Sequence, residues 1–139
     1  MPYLLDTMII SELCRKQRDK QVEQWFHSIP PDNLFLSAIT IGEIENGIVK
    51  QERINPEFSH DLSLWLENIV KHYSERILPF TTPIAKRWGR LCGELGRADA
   101  DLMIAATALE RGLIVTTRNI SHFEPTGVEV VNPFLGISY

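Results

Sequence analysis

The chain has 139 residues, of which 44% are hydrophobic and 23% are charged, as is typical of one globular domain. No apolar run approaches the roughly 20 residues that span a membrane, and no basic segment precedes an apolar stretch with a cleavage site. The net charge of −4 argues against a simple basic surface for nucleic acid, although acidic groups that hold divalent cations would invert the local charge. The two cysteines, Cys14 and Cys92, lie among apolar residues without metal-ligand spacing. We therefore expect a cytoplasmic protein of one domain, residues 1–139, with no membrane contact.

The first predicted elements place a carboxylate at the end of a strand. Tyr3, Leu4 and Leu5 form a short apolar run that predicts a buried strand, and the run stops at Asp6. Thr7 is a suitable N-cap for the helix that the apolar periodicity predicts over 8–16. Ligands of open α/β sheets bind at this carboxyl edge. The alternative is that Asp6 only ends the strand and caps the helix.

Further strands and helices alternate along the rest of the chain. A short helix through Val22 and Phe26 precedes a strand at Leu34–Ser37, and later strands are predicted at 76–80, 113–116 and 127–131. Helices are predicted over 38–51, after Pro56, from an N-cap at Thr82 to a stop at Gly96, and over 98–110. Such alternation predicts a parallel sheet with helices on both faces. The expected fold class is α/β, a three-layer α/β/α sandwich around a mainly parallel sheet of four to five strands.

Acidic and polar residues recur where these strands end and helices begin. Asp6 follows the first strand, Glu43 lies in the first turn after the second, and Asp99 and Asp101 open the alanine-rich helix; Asn119 and His122 follow the fourth strand. If the strands are parallel, these side chains share one edge of the sheet.

Each acid also has a structural explanation. Thr40 and Glu43 have the spacing of a capping box, Asp99 is a good N-cap, and Asp101 complements the helix dipole. As a group they point to a metal site, because clustered carboxylates repel one another unless cations neutralise them. Oxygen ligands suit Mg²⁺ or Mn²⁺, and the chemistry of such a site is attack of activated water on a phosphodiester.

Four segments in order resemble the PIN-domain ribonucleases, and the likeness is strongest to the VapC toxins of bacterial toxin–antitoxin pairs. The segments are Leu4-Leu-Asp-Thr7, Ser37-Ala-Ile-Thr-Ile-Gly-Glu-Ile44 with Gly47, Ala98-Asp-Ala-Asp-Leu-Met-Ile-Ala-Ala-Thr-Ala-Leu109 and Thr117-Arg-Asn-Ile-Ser-His-Phe123. The resemblance covers essentially the whole chain. It implies a Mg²⁺-dependent endoribonuclease that cuts structured RNA such as tRNA or ribosomal RNA, is blocked by a cognate antitoxin and forms a homodimer.

The resemblance also implies roles for individual residues. Asp6 and Asp101 would be the principal metal ligands, and Glu43 would bind metal or activate the water. Asp99 would be an additional carboxylate on the same turn. Thr7 and Asn119 would steady metal-bound water or phosphate.

Two positions near the end of the last segment remain open. His122 stands where members of the family often carry a fourth acid, so a second metal would be held more weakly unless Asp99 substitutes. His122 would instead contact phosphate, transfer a proton or serve only the structure. Arg118 is a candidate RNA contact, with a surface salt bridge as the alternative.

Three other functions compete with this interpretation. A phosphoacceptor receiver domain would need an acidic pair near the first strand and a lysine after the last, but this chain has no lysine after Lys86. A non-catalytic binding module with the same fold stays open, as does a nuclease of the same superfamily in RNA processing or DNA metabolism. The short chain favours the toxin over that last alternative.

Overall fold

The computed structural model of the protein describes residues 1–135, and its centre is a parallel sheet of five strands in the order β3-β2-β1-β4-β5. The strands are β1 (Tyr3–Leu5), β2 (Leu34–Ser37), β3 (Ile77–Leu78), β4 (Ile114–Thr116) and β5 (Val130–Val131). Because β1 lies in the middle, β2 and β4 both pair with it, and Leu4 is opposite Phe35 on one side and Val115 on the other.

Seven α-helices connect the strands within the described residues. They are α1 (Thr7–Cys14), α2 (Lys20–Ser28), α3 (Ala38–Ile54), α4 (Pro56–His72), α5 (Thr82–Leu95), α6 (Ala100–Arg111) and α7 (Ile120–Phe123). None of the described helices is long and apolar enough to cross a membrane.

The helices form a layer on each face of the sheet, because successive side chains of a strand point to opposite faces. Leu5 packs in a core with residues of α1 to α4, including Ile9, Trp25 and Ile48. Its neighbour Leu4 packs in the second core, against α5, α6 and α7. The predicted α/β/α sandwich with a parallel sheet is therefore confirmed. The single-domain prediction for residues 1–139 stays a prediction, and its last four residues lie outside the described part.

Several predicted N-caps were wrong by one to three residues. Asp6 occupies the N-cap position of α1 instead of Thr7, and Thr81 caps α5 instead of Thr82. Ser37 caps α3 by accepting from the Ile39 N–H at 3.0 Å. In all three cases a polar residue of the type favoured at N-caps precedes the helix.

The predicted stop at Gly96 is confirmed, and a second glycine, Gly112, ends α6. Gly96 and Gly112 end α5 and α6 with φ of 69° and 67°, a conformation that costs an L-residue with a side chain more than it costs glycine. Strands β3 and β5 have only two residues each, and the periodicity did not predict α7, a helix of four residues.

Candidate active site

Asp6 lies where β1 ends, and only 4% of its surface is exposed. Its N–H donates to the Thr116 carbonyl of β4 at 2.9 Å, and its own carbonyl accepts the N–H of Ile9 at the start of α1. The Asp6 carboxylate makes no capping hydrogen bond to α1, and its Oδ2 accepts from the Thr117 hydroxyl at 2.8 Å. Asp6 does end β1 and occupy the N-cap position of α1, but its side chain makes no cap hydrogen bond and is held instead by a residue that follows β4.

The environment of Asp6 is unfavourable to its negative charge. Burial, together with the nearby charges of Asp101 and Glu43, raises its pKa to about 6 in spite of the hydrogen bond from Thr117. The Thr7 N–H acts in the opposite direction. Two other acids that sequence analysis selected, Glu43 of α3 and Asp101 of α6, therefore lie near enough to Asp6 to oppose its negative charge.

Glu43 is connected to this edge through Thr7. The Thr7 hydroxyl donates to Glu43 Oε1 at 2.6 Å and lies 3.0 Å from the hydroxyl of Thr40, which is fully buried. The capping box predicted for Thr40 and Glu43 was wrong, because Ser37 occupies the cap and both residues lie inside α3. Thr7 instead joins the start of α1 to Glu43.

Asp101 lies in the first turn of α6, and His122 of α7 contacts it. The imidazole Nδ1 is 2.7 Å from Asp101 Oδ2, with side-chain exposures of 50% for the histidine and 21% for the aspartate. When Nδ1 carries the hydrogen, the imidazole donates to this carboxylate, because an ionised carboxylate only accepts hydrogen bonds. His122 therefore contacts one of the proposed metal ligands directly.

Asp99 has a different set of partners from the other acids. It caps α6 by accepting from the Leu102 N–H at 3.2 Å, and its Oδ2 accepts from Arg97 Nε at 2.8 Å. Partial burial opposes ionisation, but the hydrogen bonds from Arg97 and Leu102 and the charges of Arg97 and His122 place the pKa of Asp99 below its ordinary value. The expected N-cap is confirmed, and the carboxylate also forms an ion pair that the sequence did not suggest.

The remaining predicted contacts lie after β4. The Asn119 N–H donates to Thr117 Oγ1 at 2.9 Å, so Asn119 supports the threonine that holds Asp6. Arg118 is exposed, and its guanidinium lies 4.4 Å from the centre of the Phe134 ring in a cation–π contact. Within residues 1–135 it forms no salt bridge.

Sequence reasoning missed three residues of this region: Thr40, Arg97 and Thr117. Thr117 had a signal, because it is the first polar residue beyond β4 and opens the fourth PIN-like segment. Thr40 had been assigned to a cap, and nothing in the sequence distinguished Arg97 from the other arginines and lysines.

The carboxylates suit a hard divalent cation by their chemistry. Asp6, Glu43 and Asp101 each use one oxygen for a neighbouring side-chain donor, and a carboxylate with about four lone-pair positions can still bind a metal. As placed in residues 1–135, however, no three acidic, histidine or cysteine side chains stand close enough to hold one ion together. The donor types fit the ion, and closing the site around it would need side-chain adjustment.

Comparison with known proteins identifies the family. A model of the PIN domain matches residues 3–124. The chain belongs to the PIN-domain family. This PIN domain is 36% identical over 137 residues to Toxin FitB of Neisseria gonorrhoeae, covering 94% of this chain and 97% of FitB. It is 31% identical over 140 residues to VapC ribonuclease Y4jK of Sinorhizobium fredii, covering 94% and 96%.

A solved structure agrees with this assignment. The crystal structure of FitAcB from Neisseria gonorrhoeae matches with a TM-score of 0.84 and 35% identity, covering 95% of this PIN domain and 98% of that chain. The likeness to VapC-type PIN domains that four sequence segments indicated is therefore confirmed.

Proposed function

We propose that this PIN domain is a Mg²⁺-dependent endoribonuclease, the toxin of a toxin–antitoxin pair, which hydrolyses phosphodiester bonds in structured RNA such as tRNA or ribosomal RNA. The observation that carries the proposal is Asp6: a buried carboxylate whose charge is opposed by burial and by two further acids at the ligand-binding edge of the sheet. A fold retains such an arrangement at a cost in stability unless a cation or a proton neutralises it. The names of the relatives FitB and Y4jK support the toxin and ribonuclease assignments.

In this proposal Asp6 and Asp101 are the principal ligands of the ion. Mg²⁺ would act as a Lewis acid on the phosphodiester and lower the pKa of the attacking water. Glu43 completes the ligand set or accepts the proton of that water, and Thr7 orients its carboxylate by donating to Oε1. Thr117 does the same for Asp6, and His122 for Asp101.

Substrate and partners extend the proposal beyond the metal centre. Arg118 and Asn119 are exposed beside Thr117, where a cation and a side-chain amide could contact RNA phosphate. We further propose a cognate antitoxin, a homodimer and Mn²⁺ as a substitute for Mg²⁺. The likeness to a named VapC ribonuclease and a named toxin supports the first of these.

The test is cleavage of end-labelled tRNA and ribosomal RNA by the purified chain, with Mg²⁺, with EDTA, and with an Asp6→Asn variant. We expect cleavage only by the wild-type chain with Mg²⁺, with a loss of at least about 100-fold in the variant. Asp32→Asn is the matched control, because Asp32 is an exposed aspartate in a 3-10 turn and should leave cleavage unchanged. Cleavage that survives both EDTA and Asp6→Asn would refute the metal mechanism. Cleavage of DNA but not RNA would favour the alternative nuclease, and no cleavage of either would favour a binding module.

A further inference from the structure

Arg97 lies between α5 and α6 and makes contacts with two separate elements of the active-site edge. Its Nε donates to Asp99 Oδ2 at 2.8 Å, and its Nη2 donates to the backbone carbonyl of His122 in α7 at 2.8 Å. The side chain is 25% exposed, so solvent screens these bonds only in part. A single guanidinium thus joins the N-terminus of α6 to α7, and its contact with His122 spans 25 residues of the chain.

The two elements that Arg97 joins are the ones that carry Asp101 and His122. Asp101 is the second residue of α6 and His122 the third of α7, and their side chains meet at 2.7 Å. Helix α7 has only four residues, so its position depends on contacts with its neighbours rather than on its own backbone. The bond to the His122 carbonyl is such a contact.

We propose that Arg97 is a positioning residue of the metal centre: it holds α7 against α6 so that His122 can orient the Asp101 carboxylate, and it engages Asp99 as an anchor rather than as a metal ligand. This inference rests on the proposed function, because it assumes that Asp101 binds the ion. The planar fork of arginine suits the role, since it can donate to a carboxylate and to a carbonyl at the same time. Partners that orient a ligand commonly change metal affinity 10- to 100-fold when they are removed.

The chain offers a matched control for this role in Arg87. Arg87 lies on α5 and pairs with Glu110 of α6 through a 3.0 Å contact, so it also joins the α5–α6 region by an Arg–carboxylate ion pair. Its partner is at the far end of α6 from Asp101. Arg87→Ala therefore removes an ion pair between α5 and α6 and leaves the contact with α7 intact, whereas Arg97→Ala removes the contact with α7.

The experiment measures Mn²⁺ affinity by titration calorimetry on the full chain without RNA. We expect Arg97→Ala to weaken Mn²⁺ binding about tenfold, Arg97→Lys to weaken it less, and Arg87→Ala to leave it unchanged. Circular dichroism melts of all variants establish that each is folded. Arg97→Lys keeps the test valid if Arg97→Ala does not fold, because lysine retains the charge but cannot form both bonds of the fork.

A double-mutant cycle tests whether Arg97 acts through His122. If it does, the double variant Arg97→Ala/His122→Ala binds Mn²⁺ about as weakly as His122→Ala alone. The His122 substitution already removes the contact between the imidazole and Asp101, so the loss of Arg97 has nothing further to disturb. Additive effects would overturn the inference, as would an Arg97→Ala variant that binds like the wild type. A wild-type chain that binds no Mn²⁺ at all would refute the proposed function and this inference together. Additive effects, or wild-type binding by Arg97→Ala, would refute only the role of Arg97.

Discussion

Replacing Asp6 by asparagine should stabilise the fold in the absence of divalent cations. Asparagine keeps a carbonyl oxygen that can accept from Thr117, and it removes the negative charge that burial, Asp101 and Glu43 oppose. A pKa of about 6 against an ordinary value of 3.8 corresponds to about 3 kcal/mol at neutral pH, at 1.36 kcal/mol for each pH unit. For a domain of this size that difference raises the melting temperature by about 10 °C.

The sign of the pH dependence follows from the direction of the pKa change. Because the folded-state pKa lies above the unfolded value, the native state binds more protons than the unfolded state between about pH 4 and pH 6. The contribution of Asp6 to stability is thus fully present below pH 3.8 and is lost as the pH rises through about 6. The difference in unfolding free energy between wild type and Asp6→Asn should be largest above pH 7 and small near pH 4.

The assay is thermal and urea unfolding in EDTA at pH 4, 6 and 7.5, with Asp32→Asn as the control for the substitution itself. Adding Mg²⁺ should narrow the gap at pH 7.5, because binding to the native state stabilises the wild type more than the variant. The reasoning would be disproved by an Asp6→Asn variant that is no more stable than the wild type at pH 7.5 in EDTA, or by a gap that is the same at pH 4.

Three further predictions concern neighbouring contacts. Thr117→Val removes the donor to Asp6 at nearly constant volume, so stability at pH 7.5 in EDTA should fall by about 1–3 kcal/mol in urea unfolding, and less at pH 4. Thr7→Val removes the donor to Glu43 and should reduce RNA cleavage about tenfold with little change in melting temperature; unchanged cleavage would exclude the orienting role. Gly112→Ala forces a side chain into a φ of 67° and should cost about 1 kcal/mol in unfolding free energy, whereas Gly89→Ala inside α5 should not destabilise.

Apart from α7, the sequence by itself determined the order of strands and helices and the places where acids occur. Those features depend on local patterns: the apolar run before Asp6, the helical periodicity before Gly96 and the alanine-rich stretch after Asp99. With an alternating order, parallel pairing is the physically favoured arrangement, and it brings Asp6, Glu43 and Asp101 to one edge without any knowledge of their contacts.

Only the tertiary structure decided which groups hold each acid. Thr117 and Asp6 are 111 residues apart, Thr7 and Glu43 are 36 apart, and His122 meets Asp101 across 21 residues. No local propensity records such pairs, because each hydrogen bond depends on how two elements are placed by the sheet between them. The predicted capping box failed for the same reason: a sequence spacing names possible partners, and the packing of the chain selects among them.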